Sequence, residues 1–161
     1  MSSVLPPLTL PALRGGTIDL ADHAGPILVV NTASLCGFTG QYAGLQKLHT
    51  DYAPRGLMVL AVPSADFGNQ EHPTAAETLQ VCDNRFGVTF PIAATTHVKG
   101  DRATPLFQWI AAEAGLLGRP RWNFYKYLLS RDRRLLTWFG STTAPDSTRL
   151  RTPIEQAIGL V

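Results

Sequence analysis

Residues Ile27 to Val62 read ILVVNTASLCGFTGQYAGLQKLHTDYAPRGLMVLAV, and this stretch decides the fold. It begins with an apolar run, Ile27 to Asn31, of the kind that forms a strand buried on both faces. From about Thr39 the period changes. Tyr42, Leu45, Leu48 and Tyr52 recur every three or four residues, which puts them on one face of a helix. Pro54-Arg55-Gly56 stops that helix, and Leu57 to Val62 is a second apolar run, closed by Pro63. Strand, helix and strand within about 36 residues is the size of a right-handed parallel crossover.

Upstream, residues 8–20 (LTLPALRGGTIDL) predict a short hairpin around Gly15-Gly16. Downstream, a polar loop from Ser64 to Pro73 precedes a helix over Thr74 to Arg85 and a short strand over Val88 to Ile92. Pro105 suits the first turn of a third helix, Thr104 to Leu116. Tyr125 to Leu129 and Leu135 to Phe139 read as antiparallel strands joined through Arg131-Asp132-Arg133, and Pro153 to Leu160 as a closing helix. The expected class is α/β, a central mixed β-sheet flanked by helices on both faces. No internal repeat, low-complexity tract or linker interrupts the chain, so residues 1–161 read as a single domain.

Composition narrows the function. A hydrophobic fraction of 45% with 16% charged residues is globular and rules out a disordered chain. Fourteen Lys+Arg against 12 Asp+Glu leave a formal charge of +2, too small a footprint for a nucleic-acid binder or an anionic membrane surface. Met1 to Leu10 lacks a basic start and is broken by Pro6-Pro7, unlike a secretory signal, and no run approaches the length of a membrane span. A cytoplasmic protein is the expectation. His23, His49, His72 and His97 are scattered without ligand-like spacing, so no metal and no cofactor are expected. The turn carrying Arg131, Arg133 and Arg134 reads as solvated surface.

Two cysteines are too few for a disulfide-stapled fold. Cys36 falls just past the C-terminal end of a buried strand and just before a helix, the edge where open α/β sheets carry reactive groups. Unpaired N–H groups at a helix start favour a thiolate, and Gly37 leaves the sulfur open to a small substrate. An inert core cysteine is the plain alternative, because free cysteine is often buried. Thr39 stands where a Cys-x-x-Cys motif would need its second cysteine, which argues against a dithiol oxidoreductase. Cys82 lies in the second predicted helix beside Asp83, Asn84 and Arg85, a part expected to face solvent. On spacing alone it reads as a helix cysteine without a role.

The segment Asn31-Thr32-Ala33-Ser34-Leu35-Cys36-Gly37-Phe38-Thr39 resembles the active-site segment of the glutathione peroxidase family. Three further blocks are similar in order and spacing: Phe67-Gly68-Asn69-Gln70-Glu71, Gly87-Val88-Thr89-Phe90-Pro91 and Trp122-Asn123-Phe124-Tyr125-Lys126-Tyr127. Together the likeness spans about residues 8 to 160. It implies a thioredoxin-like fold and a catalytic tetrad of Cys36, Gln70, Trp122 and Asn123, with Cys36 as the peroxidatic residue. The chemistry is coherent. As a thiolate attacks one peroxide oxygen, charge passes to the other, and preset neutral donors stabilise both atoms. Trp122 offers an indole N–H, Asn123 and Gln70 carboxamide N–H groups.

Ser64-Ala65-Asp66 departs from the Cys-Asn-Gln that relatives often carry before the phenylalanine, so one supporting carboxamide is missing. Two-cysteine relatives carry a cysteine in the helix before the Gly-Val-Thr-Phe-Pro block, and Cys82 occupies that place. The resemblance thus implies a resolving role for Cys82 and reduction by thioredoxin. Glutathione dependence with Cys82 a bystander and a slow redox sensor stay open as alternatives, and the complete tetrad argues against a non-catalytic binding module. The substrates implied are hydrogen peroxide and organic or lipid hydroperoxides. The short passage from Gly115 to Pro120 suggests a monomer, with a weak dimer as the alternative, and Arg119 and Arg121 stand where they would flank the mouth of the site.

Overall fold

The structure is a computed structural model that describes residues 3–159. A small antiparallel hairpin, β1 (Thr9–Pro11) with β2 (Thr17–Asp19), pairs Leu10 with Ile18. The main sheet holds β3 (Ile27–Thr32), β4 (Met58–Pro63), β5 (Lys126–Leu129) and β6 (Leu135–Phe139) in the order β4-β3-β5-β6. β3 and β4 run parallel, joined by α1 (Gln41–Tyr52) and a 3₁₀ turn over Ala53–Arg55; β5 is antiparallel to β3 and to β6. This is the mixed sheet and the crossover expected from Ile27 to Val62.

All six residues of β3 are buried, as its apolar run requires. Their alternation builds two cores. Leu28 and Val30 face Tyr42, Leu45 and Leu48 of α1 together with Leu150 and Ile154 of the C-terminal helix (Thr148–Ala157). Ile27 and Val29 face Leu106, Phe107 and Ile110 of the helix Pro105–Gly118 on the other side. Among the described residues no helix is long and apolar enough to cross a membrane.

Three elements differ from the sequence expectation. The helix expected over 74–85 is a five-residue α2 (Ala75–Leu79), capped by Thr74, followed by a π-helical turn over Gln80–Arg85. With it, Pro105–Gly118 is α3 and Thr148–Ala157 is α4. The strand expected over Val88 to Ile92 amounts to isolated bridges, Ile92 to Ala61 and Ala93 to Ala12. Pro91 has no N–H to give a ladder, so only its carbonyl takes part, accepting from Ala61 N. The last helix begins at Thr148, five residues before Pro153, which sits inside it; the expected end at Leu160 lies outside the described residues.

The basic turn is also different. Arg133 is buried, and its guanidinium donates to the carbonyls of Leu20, His23, Gly25, Ser130 and Arg131. Five backbone acceptors satisfy a planar five-donor group and tie the β5–β6 turn to the segment before β3. The run of arginines gave no sign of this, because burial of one member depends on carbonyls brought from more than 100 residues away.

Candidate active site

Cys36 lies in a turn region, Ser34–Gly40, between the C-terminal end of β3 and the start of α1. Thr39 organises the turn. Its hydroxyl accepts from Cys36 N at 3.0 Å and donates to Ala33 O at 2.8 Å, while its own N–H donates to Cys36 O. Cys36 is partly exposed, and its sulfur accepts a hydrogen bond from Phe38 N at 3.4 Å. α1 itself begins at Gln41. The N–H groups of Gln41, Tyr42 and Ala43 are taken up by the carbonyls of Phe38, Thr39 and Gly40. The donor at the sulfur is therefore the turn's amide, not the open helix end that the sequence suggested.

Two distant segments, the loop after β4 and the segment before β5, are linked to this turn. Leu35 N donates to Gln70 O at 2.8 Å, which ties the residue before Cys36 to the loop after β4. That loop turns through Gly68 (φ +69°) and Asn69 (φ +52°). A Cβ on Gly68 would come within 2.9 Å of Trp122 Cη2, so glycine is needed for both its conformation and the close approach of the indole. Phe67 packs its ring 6.1 Å from that of Trp122. Asn123 is fully buried, and its Nδ2 donates to Gln70 Oε1 at 3.1 Å and more weakly to Phe67 O at 3.4 Å.

The segment before β5 is held from several sides. Asn31 Nδ2 donates to Trp122 O at 2.9 Å, and Phe124 N to Asn31 O at 2.6 Å. Ser141 Oγ donates to Asn123 O at 2.5 Å. Phe124 has φ +63°, a left-handed conformation that a bulky residue adopts only when its surroundings impose it. Its buried ring, set edge-on to Tyr42 at 5.6 Å, supplies that constraint. Gln70 is thus tied by its carbonyl to the Cys36 turn, and Trp122 and Asn123 are held through Asn31 of β3, Ser141 and the Gln70 side chain. Among the described residues, no acceptor is bonded to the Trp122 indole N–H or to Gln70 Nε2, so both donors are open to a bound group.

Cys82 is elsewhere. It is a free, fully buried thiol in the π-helical turn, packed in the core cluster with Tyr42 and Val88, and not facing solvent as expected. Cys36 borders the same cluster from its edge. Burial pushes the Cys82 thiol up to about 11; Tyr42 and Arg14 pull it down, and the Glu71 and Asp83 carboxylates add to the rise. Its charged sequence neighbours misled the reading, because a π-helical turn changes which side chains point inward. Arg14 of the β1–β2 turn closes over this element by a two-pronged pair with Asp83 and a bond to Val88 O at 3.2 Å.

Sequence reasoning assigned no role to Lys126 or Ser141. Lys126 is fully buried and its Nζ donates to the carbonyls of Gly140 (3.2 Å), Ser141 (3.2 Å) and Thr143 (2.6 Å). It thereby fixes the loop whose Ser141 holds the Asn123 carbonyl. A lysine inside an apolar strand pattern was the available signal.

The model of the glutathione peroxidase family matches residues 8–111. A glutathione peroxidase-like peroxiredoxin (gpx1) of Schizosaccharomyces pombe is 42% identical over 122 residues, covering 74% of this chain and 77% of its own. The hydroperoxy fatty acid reductase gpx1 of Synechocystis sp. is 40% identical over 144 residues, covering 84% and 85%. Among solved structures, the crystal structure of Trgpx in apo form superposes with a TM-score of 0.76 at 32% identity, over 98% of this chain and 97% of that one. The thiol:disulfide interchange protein DsbE from Chlorobium tepidum, at 18% identity and a TM-score of 0.69, shares the thioredoxin-like fold alone. With its fold, the match to the family model and these relatives, the chain belongs to the glutathione peroxidase family.

Proposed function

We propose that this peroxidase works through Cys36, with Gln70, Trp122 and Asn123 as its polar surround. The Cys36 thiolate attacks the nearer oxygen of a hydroperoxide. The O–O bond breaks, sulfur gains the oxygen and is oxidised to a sulfenic acid, and the other oxygen departs as an alkoxide or hydroxide that takes up a proton. The observation that carries this reading is the hydrogen bond from Leu35 N to Gln70 O, which joins the cysteine turn to the Gln70–Asn123 pair. The open donors of Trp122 and Gln70 suit a leaving oxygen that gains negative charge. Hydrogen peroxide and organic or lipid hydroperoxides are the substrates of this proposal, and the fatty acid hydroperoxides named for the Synechocystis relative belong to the same class.

In the second half of the cycle Cys82 attacks the Cys36 sulfenic acid. The disulfide forms, water leaves, and a thioredoxin-type dithiol then reduces the bridge. The six-residue π-helical turn favours this route, since such turns are irregular and open at lower cost than a long helix. Its burial keeps Cys82 protonated until the turn opens. The test is intact mass after one equivalent of peroxide. A loss of about 2 Da marks the internal bridge, and Cys82→Ser instead gains about 16 Da and stops turning over with thioredoxin. Full turnover of Cys82→Ser with thioredoxin would remove Cys82 from the cycle, and steady-state rates with thioredoxin and with glutathione separate the two reductants. Undiminished peroxide consumption in Cys36→Ser would overturn the assignment of Cys36.

A further inference from the structure

A cavity of about 580 Å³ opens between α3, the loop 98–103 and the segment Arg119 to Arg121. Its volume lies within the range of small-molecule sites. Ala103, Phe107 and Ala111 give it an apolar wall, and Lys99, Arg119 and Arg121 stand around it, all three exposed. Among the described residues no carboxylate lines it. Among the described residues none of the three cations is in an ion pair: Lys99 Nζ lies 4.9 Å from the centre of the Phe67 ring, and the Arg121 guanidinium 6.0 Å from that of Tyr125. Asp101 of the same loop is exposed and does not line the cavity, and Asp66 is already engaged by His97 at 2.7 Å and by the N–H groups of Val98 and Lys99. Three uncompensated cations around an apolar wall match an amphiphile with one anionic end.

The cavity also adjoins the candidate active site. Phe67, beneath Lys99, packs on Trp122, and Arg121 is the residue before Trp122. We infer that this cavity binds the carboxylate end and adjoining acyl chain of a fatty acid hydroperoxide, so that the chain discriminates free acids from neutral esters of the same hydroperoxide. The inference rests on the peroxidase reading and adds to it where the non-reacting end of the substrate goes. The carboxylate sits among Lys99, Arg119 and Arg121, the methylenes lie along Ala103, Phe107 and Ala111, and the peroxide end extends past Trp122 toward Cys36. No bond changes in the cavity itself.

Linoleic acid hydroperoxide, its methyl ester and hydrogen peroxide, each below its aggregation concentration with dithiothreitol as reductant, provide the kinetic test. Wild type should favour the acid over the ester by about tenfold in kcat/KM, and the preference should shrink as salt screens the cations. In Lys99→Gln/Arg119→Gln/Arg121→Gln the acid-to-ester ratio should fall to about one. An equal rate for acid and ester in wild type, or a preference that survives the triple variant, overturns the inference. Oleate binding by calorimetry separates it from the peroxidase reading. If wild type consumes no peroxide, the peroxidase reading fails, yet oleate binding lost in the triple variant still supports the cavity, and equal binding by both proteins sinks it.

Discussion

Asn123 Nδ2 donates to Gln70 Oε1 across 3.1 Å, joining the segment before β5 to the loop after β4. The bond spends one face of each carboxamide on the other. It leaves the Gln70 Nε2 amide turned away from Asn123, with both of its protons available. Gln70→Glu removes that donor and adds a negative charge. A carboxylate keeps an oxygen for Asn123 Nδ2 but replaces the N–H₂ with a second acceptor. By comparison with a single oxyanion-hole donor, the rate of Cys36 oxidation should fall by about 10²-fold, measured by stopped-flow tryptophan fluorescence. A wild-type rate in Gln70→Glu would show that Nε2 gives nothing to the transition state.

The two thiols should differ in reactivity before any peroxide is added. Cys36 is partly exposed, whereas Cys82 is sealed and its thiol is raised to about 11 by burial. Iodoacetamide at pH 8 should therefore label Cys36 first, with Cys82 labelled at least about tenfold more slowly and only as fast as its turn opens. Peptide mapping over time reads both rates. Equal labelling would mean that the π-helical turn is open in the resting protein.

Much of this was legible in the sequence, for a physical reason. Ile27 to Val62 carries its period in side chains that are buried, Met58 alone only partly, so the pattern and the fold agree. Cys36, Gln70, Trp122 and Asn123 could be singled out because each stands in a short block with its own recognisable neighbours. What could not be read depends on contacts between distant segments. The burial of Cys82 follows from a change of helical type at Gln80 that no periodicity announces. The burial of Arg133 follows from carbonyls of the segment before β3. The left-handed backbone at Phe124 follows from packing on Tyr42 and has no signature in a phenylalanine. Val88 to Ile92 looked like a strand because its alternation is real, but Pro91 removes the donor that a ladder needs.

The Arg14–Asp83 pair should act as a latch on the element that carries Cys82. Both side chains are well exposed, so water screens the attraction and the pair contributes at most about 1 kcal/mol. It nevertheless links the β1–β2 turn to the π-helical turn, together with the bond from Arg14 to Val88 O. Arg14→Gln should speed disulfide formation after Cys36 oxidation by roughly twofold to fivefold, because the closed form loses that support and the open form does not. Quenched-flow mass spectrometry after a single peroxide pulse measures the step. An unchanged rate of bridging would show that opening does not pass through release of Asp83.

Lys126 should make stability depend on pH. Burial lowers its pKa from 10.5 to about 7, against the pull of three carbonyl acceptors on the charged form. Below about pH 7 folded and unfolded chains both hold the proton. Between there and 10.5 the unfolded chain binds more protons than the folded one, so stability rises with pH. The slope approaches about 1.4 kcal/mol per pH unit at most, and the gain is lost again as pH falls through about 7. Lys126→Met keeps most of the side-chain volume and removes the titration, while the contributions of Cys82 and the other groups cancel between the two proteins. Urea unfolding from pH 6 to pH 9 should show wild type gaining on Lys126→Met above pH 7. Curves that stay parallel throughout would mean that the carbonyls of Gly140, Ser141 and Thr143 hold Lys126 charged across the whole range, and that the loop supporting Ser141 and Asn123 keeps one protonation state.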